Sequence, residues 1–390
     1  MPKKNIYLDN NATTALHPEV VKKIQEVFPI YGNASSMHAF GREAKKELDL
    51  ARDIVANALG ASNEEIIFTA SGTEADNLAI KGVAAAYRHK GNHIITSAIE
   101  HPAVLNTCNF LMKKGFEITF LPVDEYGVVN PKDLEKAITN QTILVTIMIA
   151  NNEIGTIQPI KELAAIAKKK NILFHTDAVQ AVGKIPVNVN ELGVDLLSLS
   201  GHKFYAPKGV GVLYLRKGVK VEAQLHGGHQ EHRLRSGTYN VLGIAAMGKA
   251  LELAVEEMPK EMLRVKKLKE KLYKGIISNL DDIKLHGNLE KCLPNTLGVS
   301  FKYIEGEGIL LRLDQEGIAV STGSACSSGS LEPSHVLLAL GLSHEVSHGS
   351  IRFSLGRDTT EEEIDYTIEK VVSVVNTLRE MSPLYEKNRK

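Results

Sequence analysis

A few short stretches hold side chains whose types and spacing suit chemistry. In SGHKFYAPKGVG, Lys203 sits just past an apolar run, where the ligands of parallel α/β sheets gather. A lysine there can lose its water shell and its proton, the condition for forming a Schiff base. Standing alone, such a lysine is ordinarily a solvated loop residue. Asp177 ends the run Ile172–Leu173–Phe174–His175–Thr176, and a carboxylate so placed is costly unless paired. An ion pair or a helix cap would satisfy it; so would the protonated ring nitrogen of a bound cofactor. IIFTASGTEADN reads as strand, small-residue turn and helix start. The amides of Gly72 and Thr73 would then face a phosphate, although Ser-Gly-Thr-Glu is also an ordinary helix cap.

A Schiff-base lysine, a buried acid and a phosphate turn are together what pyridoxal phosphate requires, because its ring is an electron sink only while an acid holds the ring nitrogen's proton. His101, after NHIITSA, suits stacking on a ring or moving protons, though a lone histidine is more often structural. Cys326 lies in STGSACSSGS, a loop whose composition predicts exposure and mobility, and an exposed thiol can react. Cys108 has helical spacing with apolar neighbours and reads as core, while nothing marks Cys292. His344-Glu345-Val346-Ser347-His348 matches H-E-x-x-H, yet Ser343 and Gly349 leave room for little more than one turn. A zinc site needs both histidines on one long helix, so no metal is expected there. The loop histidines His226, His229 and His232 have no accompanying cysteine or carboxylate pattern for a metal.

The elements that position these residues follow from the apolar pattern. Ile66–Ala70, His93–Ser97, Ile118–Val123, Ile143–Ala150, Ile172–His175, Leu196–Ser200 and Val210–Arg216 lack polar alternation, as strands covered on both faces do. Helical patterns separate them; after Pro159, for instance, Ile160, Leu163, Ala164 and Ala167 share one face. The alternation predicts a mostly parallel sheet covered by helices. The texture changes near Pro259. A charged helical stretch (260–278), strands at Thr296–Phe301, Ile318–Ser321 and Ile351–Ser354, a helix around Ile309–Leu313 and a final helix from Thr360 make an α+β unit. Thr360 and Glu363 form a capping box.

The chain has 390 residues, 43% hydrophobic and 24% charged, enough for two domains. Lys plus Arg total 46 and so do Asp plus Glu, a balance that argues against nucleic acid as the main partner. No apolar run is long enough to span a bilayer, and the start shows no secretory signal. Three cysteines suit a reducing compartment, so a cytoplasmic location is expected.

YLDNNATT, YGNASSMHAFGR, EHPAVLNTC, NNEIGTIQPI, FHTDAVQAVGK, SGHKFYAPKGVGVLYL, RSGT, STGSACSSGSLEPSH and IRFSLGR together resemble the cysteine desulfurases of the nitrogen-fixation and iron–sulfur cluster assembly type. These are pyridoxal-phosphate enzymes of the class-V aminotransferase family, with the fold of aspartate aminotransferase. The resemblance implies a large cofactor domain (15–258) built on a mixed, mostly parallel seven-stranded sheet. A smaller α+β domain (1–14 and 259–390) would carry the cysteine loop. It implies that Lys203 holds the cofactor, Asp177 faces the pyridine nitrogen, Gln180 and Asn152 touch the phenolic oxygen and His101 stacks on the ring. Gly72, Thr73, Ser200 and His202 would hold the phosphate, joined by Thr238 from the second subunit of a homodimer. Arg352, with Asn152, would bind the substrate carboxylate. Cys326 would take the sulfur of L-cysteine as a persulfide, leaving L-alanine. The sulfur would go on to an iron–sulfur scaffold protein or another acceptor, with Cys326 as a possible shared ligand of a transient cluster. His232 and Arg233 stand where relatives have Arg and Gly, and Ala75 where Ser is common. Two competing readings are a selenocysteine lyase or aminotransferase on the same fold, which as an aminotransferase would not need Cys326, and a sulfur-relay scaffold that docks partners.

Overall fold

The computed structural model describes residues 5–322 and 333–388. After β1 (Ile6–Tyr7) come the strands of the main sheet: β2 (Ile66–Thr69), β3 (His93–Ser97), β4 (Glu117–Leu121), β5 (Thr142–Thr146), β6 (Leu173–Asp177), β7 (Leu196–Ser200) and β8 (Gly211–Leu215). All seven expected strands are present. The expected Ile143–Ala150 ends four residues early, because 147–150 leave the ladder to form the loop that carries Asn152. The order is β2-β8-β7-β6-β5-β3-β4. Pairs from β4 to β7 run parallel, and β8 runs antiparallel to both β7 and β2. The sheet is therefore mixed and mostly parallel, as expected. Its central strands are buried along their whole length, which explains their unbroken apolar runs.

The rest of the chain adds β9 (Ile283–Leu285), β10 (Thr296–Phe301), β11 (Ile318–Ala319) and β12 (Ser350–Ser354). β12, β10 and β9 form an antiparallel sheet, while β11 pairs in parallel with the N-terminal β1. One buried cluster joins Ile6 and Leu8 to Val265, Leu297, Ile318, Phe353 and Val375. Separate clusters fill the two faces of the main sheet. The change of texture near Pro259 is not a break: one helix runs from Val241 to Ile277 with Pro259 inside it. Proline removes the bond to the carbonyl four residues earlier. That carbonyl belongs to Val255, whose side chain is 41% exposed, so water can satisfy it.

Burial without charge sets an acid limit on this fold. His175 and His286 are buried, and burial pushes each pKa down to about 3. Unfolded, each titrates near its ordinary value of about 6.5. Below that pH the unfolded chain takes up protons that the fold refuses, so stability falls with pH until the folded pKa is reached. Each histidine should withdraw about 1.4 kcal/mol per pH unit in that window. Urea denaturation of His286→Asn between pH 7 and 5 should show about half the acid slope attributed to the pair. An unchanged slope would contradict this account.

Candidate active site

The site forms where strands of the main sheet end. β2 leads into a helix (Gly72–Ala86) whose cap is Ser71, its hydroxyl accepting from the Glu74 amide. As the first residues of that helix, Gly72 and Thr73 have no carbonyl a turn earlier for their amides. A Cβ added to Gly72 would come 2.6 Å from Val179 Cγ2 and 3.3 Å from Ser200 Cβ. Only a glycine lets this turn lie so close to the ends of β6 and β7. β7 ends at Ser200 and passes straight into a single turn of 3₁₀-helix, Gly201–Lys203. The Lys203 amine donates to the carbonyls of Asn11 at 2.5 Å and Ala12 at 2.8 Å.

Asp177 ends β6, buried, and one carboxylate oxygen accepts from the Val179 amide at 2.8 Å. Burial raises its pKa to about 6, against the Val179 hydrogen bond and the charge of Lys203. His101, past the end of β3, caps the next helix by accepting from the Ala103 amide at 3.1 Å. Burial and then the Lys203 charge push it down to about 4. A neutral imidazole results, able to lie against a cationic ring without repelling it. His202 is lowered to about 4 for the same two reasons, and its ring lies 3.2 Å from the Thr13 hydroxyl.

Asn152 follows β5, and its backbone carbonyl accepts from Arg352 Nη1 at 3.1 Å. Arg352 is on β12, buried, with Nη2 donating to Asp9 at 2.7 Å. Its Nε is buried with no hydrogen-bond partner among the described residues. That leaves a donor of a planar fork for a ligand carboxylate. Gln180 Nε2 donates to the Asn11 carbonyl at 2.9 Å.

Thus Lys203, Asp177, Gln180, Asn152, Arg352, His101, His202, Ser200 and Gly72 with Thr73 converge. Thr238, expected to come from a second subunit, is exposed in this chain, next to Tyr239, whose hydroxyl accepts from the Glu231 amide. Cys326 lies outside the described residues. Cys108 is buried and pushed up to about 12 by burial, as a core thiol should be. Cys292 accepts from Lys269 Nζ at 2.9 Å. The segment His344–His348 is one five-residue helix.

Sequence reasoning gave no role to Asn11, the hub of this site. Its amide nitrogen donates to the Asn152 carbonyl at 3.0 Å and to Thr296 Oγ1 at 2.8 Å, and its Oδ1 accepts from Asn295 and Lys184. Nor did it single out Glu153, which burial raises to about 7 and which accepts from Ser334 Oγ. The doubled asparagine of YLDNNATT was the available signal.

The donor set fits pyridoxal phosphate. A buried acid sits on one side, a neutral imidazole lies nearby, and a helix N-terminus opens beside Ser200 at the end of the strand that leads into Lys203. The aminotransferase class-V family model matches residues 6–367. Cysteine desulfurase IscS of Dictyoglomus turgidum is 56% identical over 382 residues, 98% of this chain and 97% of that protein. The chain belongs to the cysteine desulfurases of the class-V aminotransferase family. Another member, IscS of Methanosarcina thermophila, is 53% identical over 98% of this chain and 95% of its own length. Among solved structures, a NifS-like protein superposes with a TM-score of 0.91 at 44% identity, covering 96% of this chain and all of that one. A NifS-like protein from Rickettsia africae gives 0.87 at 34% identity, covering 95% and 99%. Like other family members, this cysteine desulfurase depends on pyridoxal phosphate.

Proposed function

We propose that this chain converts L-cysteine to L-alanine and delivers the sulfur, through Cys326, to acceptors for iron–sulfur cluster assembly or other sulfur trafficking. The observation that carries the reading is the meeting of Lys203, Asp177 and the Gly72 turn in a chain 56% identical to a named cysteine desulfurase. Bound there, pyridoxal phosphate supplies the sink for the electrons released when the substrate loses its α-proton.

The chain's own residues do the rest. Asp177 holds the ring-nitrogen proton, and His101 covers the ring. The amides of Gly72 and Thr73, with Ser200 and His202, hold the phosphate; Thr238 of a second copy would complete the set in a homodimer. Arg352 Nε and the Asn152 side chain take the substrate carboxylate, while Gln180 donates to the ring oxygen. Lys203 would anchor the cofactor at rest and would be the base that takes the substrate's α-proton. The Cys326 thiolate then attacks the substrate sulfur. A sulfur–sulfur bond forms, the carbon–sulfur bond breaks, and the carbon fragment takes a proton and leaves as alanine.

The separate core clusters support two domains, residues 15–258 around the main sheet and residues 1–14 with 259–390 around β10 and β12. No helix among the described residues is long and apolar enough to cross a membrane, and a cytoplasmic setting suits a reaction that needs free thiols. Purified protein should take up pyridoxal phosphate and gain a visible absorption band that L-cysteine perturbs. Protein that stays colourless with added cofactor would sink the enzyme reading and leave the docking scaffold.

A further inference from the structure

Lys184 is a buried charged group to which the proposed reaction gives no task. It lies four residues past Gln180, and its Nζ donates to Gln180 Oε1 at 2.6 Å and to Asn11 Oδ1 at 3.2 Å. No carboxylate among the described residues lies within ion-pair distance of it. The charges that act on it are the cations Lys203 and Arg352, and together with burial they hold its pKa well below the ordinary lysine value. Arg352 has Asp9 as a counter-charge, whereas Lys184 has only neutral amide oxygens. Nothing in folding alone favours an amine here, because a buried cation without an acid is costly.

The arrangement does settle which way Gln180 faces. Lys184 Nζ donates to Gln180 Oε1, an amide oxygen that can only accept. That turns the NH₂ end the other way, where it donates to the Asn11 carbonyl at 2.9 Å, the same carbonyl that Lys203 Nζ reaches at 2.5 Å. One N–H of Gln180 is thus used beside Lys203, and the second remains for a ligand. Asn11 is fixed in turn by Asn152, Thr296 and Asn295. The group cannot swivel without breaking several of these bonds.

We propose that Lys184 is a positioning residue for the cofactor: by holding Gln180 Oε1 it presents only N–H to the ring's phenolic oxygen and so favours the ionised oxygen. This rests on the reading that Gln180 faces that oxygen. The charged or titratable groups around the network are Lys203, His202, Arg352 with Asp9, and Asp177, and, lining a cavity of about 50 Å³ together with Lys184, His17, Tyr205, Glu257, Glu261 and Arg357. None of them reaches Gln180 Oε1 in place of Lys184.

The test uses the holoenzyme and its visible absorption band, titrated with pH. A donor to the charged form favours that form, so removing it with Lys184→Met should raise the pH at which the band titrates by about one unit. Activity should fall mainly in kcat, with KM for L-cysteine changed less. Gln180→Met should shift the band in the same direction, and the double variant should shift it no further than the larger single one, as members of one chain do. Lys184→Arg, a donor at every pH of the titration, should restore the wild-type titration. If Lys184→Met fails to fold, Lys184→Gln takes its place, with a smaller upward shift expected. An unmoved titration in a folded Lys184 variant, or additive shifts in the double variant, would overturn the proposal. Wild-type protein without any cofactor band would instead overturn the functional reading on which it rests.

Discussion

Lys203→Ala leaves a protein that still takes up pyridoxal phosphate, held without a covalent bond, and that turns over L-cysteine at least about 10³-fold more slowly. The size of the loss follows from position. Lys203 is set by the 3₁₀ turn after β7, and its amine is held at 2.5 Å and 2.8 Å by the Asn11 and Ala12 carbonyls. The two carbonyls fix the amine in place beside the Gln180 amide without engaging it in an ion pair there. No other amine can stand in, because Lys184 is tied to Gln180 and Asn11. The check is steady-state alanine release, with cofactor content measured on the same sample. Turnover near the wild-type rate would overturn the role of Lys203.

Cys326→Ala should bind cofactor and L-cysteine normally yet form no protein-bound persulfide, and alanine release should fall by about 10²-fold or more. The other thiols cannot substitute. Cys108 is enclosed in a helix behind the main sheet, and burial pushes it up to about 12, so almost no thiolate exists at neutral pH. Cys292 is tied to Lys269 Nζ at 2.9 Å and to the Leu289 carbonyl at 3.2 Å, beside the Gly155 turn. An aminotransferase would be indifferent to this substitution, so it separates the two enzymes the fold can support. Undiminished sulfur transfer by the variant would defeat the assignment.

The main sheet was legible because parallel strands covered on both faces leave unbroken apolar runs, as in β5 and β7, and because helix starts carry caps such as Ser71 and Thr360. β1 and β9 were not, since two and three residues make no periodicity. The long helix through Pro259 hid behind a residue that usually ends helices. Lys203, Asp177 and Gly72 could be found because each stands at a strand end in a recognisable turn. Asn11 and Lys184 could not be found that way. Asn11 acts through partners such as Asn152, Gln180, Lys203 and Thr296, with Asn152 141 and Thr296 285 positions away, and Lys184 gains its meaning only from having, among the described residues, no acid within ion-pair distance. Such roles arise from tertiary contact and leave no local pattern.

The most direct test of the central claim is a single turnover of holoenzyme with L-cysteine, counting alanine and locating the transferred sulfur by mass spectrometry of the reduced-free protein. The account predicts one alanine per active site, matched by one added sulfur atom on Cys326. Alanine formed without sulfur on Cys326, or sulfur found on Cys108 or Cys292 instead, would contradict it.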